Sequence, residues 1–319
     1  VLKKRYLCGN RITKYMSENE QNNTENTPTG SENTPDTTEK VVITERFIDV
    51  QKVFSQKSPR LARWIPWFVF NYLRRVIHEK QVNAFLYEHR DDDAKTYSRA
   101  VRDYFKLNIE IRGAENLPLT GRCLAAANHP LGGLDGILLM DLIGQLRTDL
   151  QVVVNDLLMN IPQLRPYFIP INKHGSNKEN LALFNKAFAD ENIILYFPAG
   201  LVSRKQKKTG FIRDLEWQPT FLKKAVQTKR DIIPIHVGGK NSNFFYNLAN
   251  FRKWIGIKGN IEMLYLVDEM FHQMGKTIPI TIGKPIAYQR FDKSKTMAEW
   301  AEDLRQYIYV LGENPDAVF

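Results

Sequence analysis

Cysteine is nearly absent from this chain of 319 residues: Cys8 and Cys123 are its only two. Two thiols supply no disulfide framework, and no Cys/His cluster has zinc-ligand spacing, so the chain suits a reducing compartment. Long hydrophobic runs are missing too. No apolar stretch approaches the roughly 18 residues of a membrane span. The N-terminus also lacks the apolar core, about 7–15 residues long, of a secretory signal. The expected setting is cytosolic, with any membrane contact peripheral and on the cytoplasmic face. Residues 17–40 contain no aliphatic or aromatic side chain, cannot offset their own ordering entropy, and are expected to be disordered. No Gly-x-Ser-x-Gly elbow, Walker phosphate loop or His-Glu-x-x-His helix occurs, which argues against a serine nucleophile, nucleotide binding and zinc hydrolysis. Cys123 lies inside an apolar run and reads as a small core residue.

What is present is a basic, core-forming chain. Its 43% hydrophobic content is enough for one large domain with appendages. The net charge is +10, and its placement says more than its sum. Residues 1–16 carry Lys3, Lys4, Arg5, Arg11 and Lys14 without an acid, while residues 17–40 carry six acids against Lys40, so the two segments cancel. The whole excess lies on residues 41–319 and favours phosphate-rich partners, nucleic acid or an anionic membrane. Three regions follow: a basic tip and linker (1–40), a helical region (41–106), and an α/β domain (107–319). In the helical region Asp91-Asp92-Asp93 marks one helix start. Beyond it, strand candidates at 107–112, 123–127, 151–154, 167–171, 193–197, 232–237, 261–267 and 279–282 alternate with helical patterns such as 177–190 and 220–228. Nearly continuous apolar strands between helices predict an α/β fold with a mostly parallel central sheet flanked by helices.

Residues 58–78 gather Trp64, Trp67, Phe68, Phe70 and Tyr72 between Arg60 and Arg63 on one side and Arg74 and Arg75 on the other. Tryptophan and tyrosine favour the headgroup layer and arginines pair with lipid phosphates, so the segment reads as a membrane-interface element. Pro66 limits how far its first helix runs. The same aromatics would also serve an arm packed on the catalytic domain. A nucleic-acid reading finds the basic and aromatic residues but no recognition module, and nucleic acid is not an expected partner.

Residues 126–136 read Ala-Ala-Asn-His-Pro-Leu-Gly-Gly-Leu-Asp-Gly. His129 stands at the mouth of a strand, and Asp135 stands where the N-cap of an apolar helix is expected. A carboxylate that holds one imidazole nitrogen leaves the other as a base facing a cleft, which is how a hydroxyl is activated. A capping Asp beside a satisfied His fits the same residues. Residues 196–205, Tyr-Phe-Pro-Ala-Gly-Leu-Val-Ser-Arg-Lys, follow another strand, at the edge where open α/β sheets bind ligands. There Gly200 allows close backbone approach. Arg204 either grips a carboxylate or phosphate bidentately or begins a solvated basic run. Residues 168–175 end a strand in the cation Lys173, and His236, alternating within an apolar strand, reads as a core histidine.

In order, Asn128-His129…Asp135, residues 168–173, residues 197–204 and the Pro-centred strand 232–237 resemble the four blocks of the glycerolipid acyltransferase superfamily, the group containing 1-acylglycerol-3-phosphate acyltransferases. The wording Asn-His-Pro-Leu-Gly-Gly-Leu-Asp is most similar to a bacterial haemolysin-like subgroup with O-acyltransferases of ornithine- and glycine-lipid synthesis. Three departures stand out. Five residues rather than four separate His129 from Asp135, Ala199 replaces the third block's glutamate with Leu201-Val202 for Thr-Arg, and Lys173 replaces an arginine. The resemblance implies a peripheral-membrane O-acyltransferase. His129 would be the general base and Asp135 its orienting acid. Backbone N–H groups around Gly200 would serve the oxyanion, and Lys173, Gly200, Ser203 and Arg204 the acceptor's anionic group. The implied donor is an acyl thioester of acyl carrier protein or CoA, with no metal and no bound cofactor, and the partners are membrane lipids and the acidic carrier protein. The implied acceptor is a lyso-amino-acid lipid or a lysophospholipid. A conventional 1-acylglycerol-3-phosphate acyltransferase and an inactive membrane-binding relative are the alternatives.

Overall fold

The computed structural model describes residues 47–57, 63–171 and 178–319. Helices α1 (Val50–Lys57), α2 (Trp67–Val76), α3 (Glu79–Glu88) and α4 (Ala94–Tyr104) come first. Pro66 separates the helical residues 63–64 from α2 and caps α2, at a place where its missing N–H leaves no bond unmade. Asp93 caps α4 by accepting the Thr96 N–H at 2.7 Å, and that bond holds its carboxyl below the usual range.

Strands and helices then alternate. In chain order they are β1 (Asn108–Arg112), β2 (Cys123–Ala127), α5 (Gly133–Gly144), β3 (Leu150–Asn155), β4 (Phe168–Ile171), α6 (Lys178–Ala189) and β5 (Ile193–Tyr196). A two-stranded hairpin, β6 (Arg204–Lys205) and β7 (Ile212–Arg213), precedes α7 (Thr220–Gln227) and β8 (Asp231–Val237). The chain ends with α8 (Asn243–Trp254), α9 (Leu266–Phe271), β9 (Thr277–Ile282) and α10 (Met297–Glu313).

Seven of these strands form one sheet in the order β1-β9-β8-β2-β5-β3-β4, parallel at every pairing except β8 with β9. Strand β2 lies between β5 and β8, so three neighbouring loops leave the same carboxyl edge. Its sequence Cys-Leu-Ala-Ala-Ala is buried throughout. Because side chains alternate, Cys123, Ala125 and Ala127 join a core with α4 and α5 on one face, while Leu124 and Ala126 join α6, α7 and α10 on the other. The alanines let both helical layers approach closely. Arg230, fully buried, donates to the carbonyls of Ala187, Phe188 and Asp190 at the end of α6 and to those of Cys123 and Asn192. It satisfies the orphan carbonyls of that helix terminus and ties it to the sheet.

One expectation changes. Residues 261–267 are not a strand but a 3-10 turn, Ile261–Tyr265, running into α9. The inward positions are Glu262, Leu266, Glu269 and Met270, a helical spacing hidden in the sequence because two of the four are buried glutamates. Residues 47–319 form one compact unit. Tyr97, Val101 and Phe105 lie in the same core as β2 and α5.

His236 projects from β8 toward α10, where a methyl on Gly312 would overlap its ring, and burial lowers its pKa to about 4. Its stabilising contribution as a neutral ring is present above the ordinary value near 6.5 and fades as pH falls through that window. Between neutral pH and about 4, chemical denaturation is expected to show wild type losing about 3 kcal/mol more than His236→Asn. Parallel acid profiles would contradict this.

Candidate active site

The site is assembled where β2 ends. Asn128, buried, turns its side chain onto β8: its Nδ2 donates to the Val237 carbonyl at 2.8 Å and its Oδ1 accepts the Val237 N–H at 2.7 Å. This bidentate latch continues the β2–β8 pairing one residue past the strand and fixes where His129 leaves the sheet. The chain then turns back through Pro130 and Leu131. Gly132, at φ +78°, takes a conformation that L side chains rarely adopt, and a Cβ there would crowd Leu266 and Val202 at 3.2 Å. Helix α5 begins immediately after it, with Asp135 at its third position rather than at the cap.

From that position the Asp135 carboxylate, fully buried, closes the turn. It accepts the Leu131 N–H at 2.9 Å and the Gly132 N–H at 3.1 Å, and it lies 3.0 Å from His129 Nδ1. The longer His–Asp spacing is thus absorbed in the Leu131–Gly132 bend, and the two side chains still meet. Burial pushes the Asp135 carboxyl up, while the His129 ring and the Leu131 N–H oppose that shift. With Nδ1 as donor to a carboxylate, the His129 tautomer has an unprotonated Nε2, which has no partner among the described residues. The ring is 18% exposed and lies against Phe197 at 4.3 Å between centroids. Phe197 follows β5, the parallel neighbour of β2, so the two loops meet at one sheet edge.

A second buried acid holds the backbone of the same residue. Asp214 Oδ1 accepts the His129 N–H at 3.1 Å and the Ser203 hydroxyl at 2.6 Å, and its Oδ2 accepts the Trp217 indole N–H at 2.9 Å. The Ser203 N–H in turn donates to the His129 carbonyl at 2.8 Å. Burial pushes the Asp214 carboxyl up, against the pull of those donors. Sequence reasoning did not single out Asp214; its stretch carries no pattern, and its partner at the site, His129, lies 85 residues away.

The acyltransferase family model matches residues 52–318. This chain belongs to that acyltransferase family. It is 46% identical over 266 residues to a lyso-glycine lipid O-acyltransferase of Bacteroides thetaiotaomicron, covering 83% of this chain and 97% of that protein. It is 45% identical to a lyso-glycine lipid O-acyltransferase of Phocaeicola vulgatus, covering 83% and 95%. The solved 1-acyl-sn-glycerophosphate (LPA) acyltransferase PlsC from Thermotoga maritima aligns with a TM-score of 0.42 at 14% identity, over 77% of this chain and 93% of that one.

Within this acyltransferase, several residues of the third block are occupied by internal work. Arg204 is 5% exposed and donates to Glu262 Oε1 at 2.8 Å; Glu262 Oε2 also pairs with Arg252 of α8 at 2.8 Å. Its guanidinium therefore belongs to a buried Arg–Glu–Arg cluster and is not free for an acceptor's anionic group. The Ser203 hydroxyl is likewise occupied by Asp214. Gly200, at φ +59°, donates its own N–H to the Phe197 carbonyl at 2.9 Å, which closes a tight turn. Ala199 packs in the apolar cluster with Trp217 and Phe221. Lys173 lies outside the described residues.

The interfacial segment is split by its helix. Phe70, Leu73 and Val76 of α2 face inward, while Trp67, Phe68 and Tyr72 are exposed, as is Trp64 just before it. One face of α2 is therefore packed inward and the other is exposed. Arg63 and Arg75 are exposed, but Arg74 donates to Asn71 and to Gln51 of α1, at 3.2 and 3.1 Å, and is not a free lipid ligand. Arg60 lies outside the described residues. Among the described residues no helix is long and apolar enough to cross a membrane.

Replacing Asp214 with Ala leaves three donors without an acceptor and is expected to cost at least about 3 kcal/mol in urea unfolding. Ser203→Ala removes one donor only, for about 1 kcal/mol, with the acceptor KM unchanged. A raised KM at unaltered stability would instead return Ser203 to acceptor binding.

Proposed function

We propose that this chain moves a fatty acyl group from an acyl thioester to the hydroxyl of a lyso-glycine lipid, working peripherally at the cytoplasmic face of a membrane. The observation that carries this reading is the His129–Asp135 pair, with an open Nε2, in a chain 46% identical to a lyso-glycine lipid O-acyltransferase along nearly that protein's whole length.

In this reading His129 Nε2 removes the proton of the acceptor hydroxyl as its oxygen attacks the thioester carbonyl. Asp135 offsets the imidazolium charge as it forms. The negative charge that develops on the carbonyl oxygen needs donors placed before the reaction starts. Since the Gly200 N–H is used within its own turn, the Leu201 and Val202 N–H groups are the candidates. The tetrahedral intermediate then expels the thiolate, which takes the proton back from His129. Acyl carrier protein and CoA present the same kind of thioester, and either satisfies this balance. With Arg204 held by Glu262, Lys173, two residues past β4 in the sequence, is the cation assigned to the acceptor's carboxylate. The loss of a free Arg204 and of the block-three glutamate favours a carboxylate acceptor over a phosphate one.

The test is turnover by the purified full chain given an acyl donor with lyso-glycine lipid, lyso-ornithine lipid or lysophosphatidate. The expected product is the diacylated glycine lipid, and His129→Ala should lower kcat by about 10²–10⁴ while the fold persists. Preferred acylation of lysophosphatidate would overturn the acceptor, and an undiminished rate for His129→Ala would overturn the base.

A further inference from the structure

Helix α8 is apolar on both faces. Phe245, Tyr246 and Ala249 pack inward, which accounts for one stripe. On the outer side Phe244, Phe251 and Trp254 stand at spacings of seven and three residues, so they share a face, and all three are exposed, Trp254 at 75%. The turn that follows continues the pattern with exposed Ile255, Ile257 and Ile261. A contiguous apolar patch of this kind marks a surface meant to be covered.

The turn is held in place from beneath. Arg252, itself buried, donates to the Ile257 carbonyl at 3.1 Å and to Asn260 Oδ1 at 2.7 Å, and it is paired with Glu262. The apolar side chains are therefore displayed by a braced backbone. The charges along this stretch have one sign: residues 240–261 include Lys240, Lys253 and Lys258, besides the buried Arg252, and not one acid. The patch is also continuous with the outer face of α2. The Phe244 ring meets that of Tyr265 at 5.0 Å, and the Tyr265 hydroxyl bonds that of Tyr72 at 2.8 Å.

We propose that the outer face of α8 and the turn after it form a second membrane-inserting surface, which with α2 seats the enzyme on an anionic bilayer. The inference rests on the reading of this chain as an enzyme of the membrane surface and adds the element that fixes its orientation there. Tryptophans at the protruding positions with lysines at their rim match the headgroup layer of an anionic membrane. A second copy of the chain seated on this face would set lysines against lysines. Two contacts from separate parts of the fold, α2 and α8, restrict the orientation more than one helix alone, which would leave the molecule free to roll.

Full-length protein sedimented with vesicles of phosphatidylethanolamine and phosphatidylglycerol tests this. Trp254→Ser combined with Ile257→Ser, both at exposed positions, is expected to weaken partitioning roughly tenfold with unchanged thermal midpoint and solution mass. Lys253→Gln with Lys258→Gln is expected to weaken it on these vesicles and not on phosphatidylcholine alone. If the Trp254/Ile257 variant partitions like wild type while Trp67→Ser with Phe68→Ser is released, the α8 inference fails and the membrane reading stands. A fall in solution mass for the Trp254/Ile257 variant would assign the face to a second copy and also overturn it. Wild type that sediments with no vesicle would overturn the membrane reading and this inference together.

Discussion

The structure depends on one buried carboxylate. Asp135, in the first turn of α5, receives two backbone N–H groups and one imidazole nitrogen, and no water reaches it. A bare carboxylate there would cost several kcal/mol. The donors offset that cost, and the helix N-terminus adds its own positive field. Satisfying the acid forces the rest: Leu131 and Gly132 must wrap around it, Gly132 must adopt its positive φ, and the His129 ring must present Nδ1. What the fold gains in return is an imidazole whose orientation and tautomer are decided before any substrate arrives.

Around that centre the protein repeats the device. Asp214 grips the backbone of His129 as Asp135 grips its ring, and Asn128 pins the preceding residue to β8. Glu262 does the same at a distance, since one carboxylate clamps Arg204, at the end of the loop after β5, and Arg252, under the exposed turn of α8. Buried ion clusters of this type add little net stability but are costly to break, so they favour one arrangement over its neighbours. Here the arrangement holds the loop after β5 and the outer apolar surface in a set relation.

Much of the framework was legible in the chain. Apolar strands buried on both faces, interrupted by amphipathic helices, announce a parallel sheet, and the runs at 123–127, 193–197 and 232–237 became its three central strands. The His129–Asp135 contact was legible because both residues sit within one turn. The failures share a cause, which is that buried polar residues disguise themselves as surface. Glu262 and Glu269 broke the helical stripe at 261–270, and Arg204 looked free because Glu262 lies 58 residues on. Asp214 left no mark, since its bond to the His129 backbone is set by tertiary packing. Pairings at long range are decided by the fold, and local patterns do not encode them.

The central claim is that Asp135 sets the His129 tautomer so that Nε2 is the bare nitrogen. Nitrogen NMR of the protein labelled in its histidines reads this directly near neutral pH. The account predicts a protonated Nδ1 and an unprotonated Nε2 for His129, with the tautomer distribution scrambled in Asp135→Ala. A His129 that carries its proton on Nε2, or one indifferent to the loss of Asp135, would contradict it.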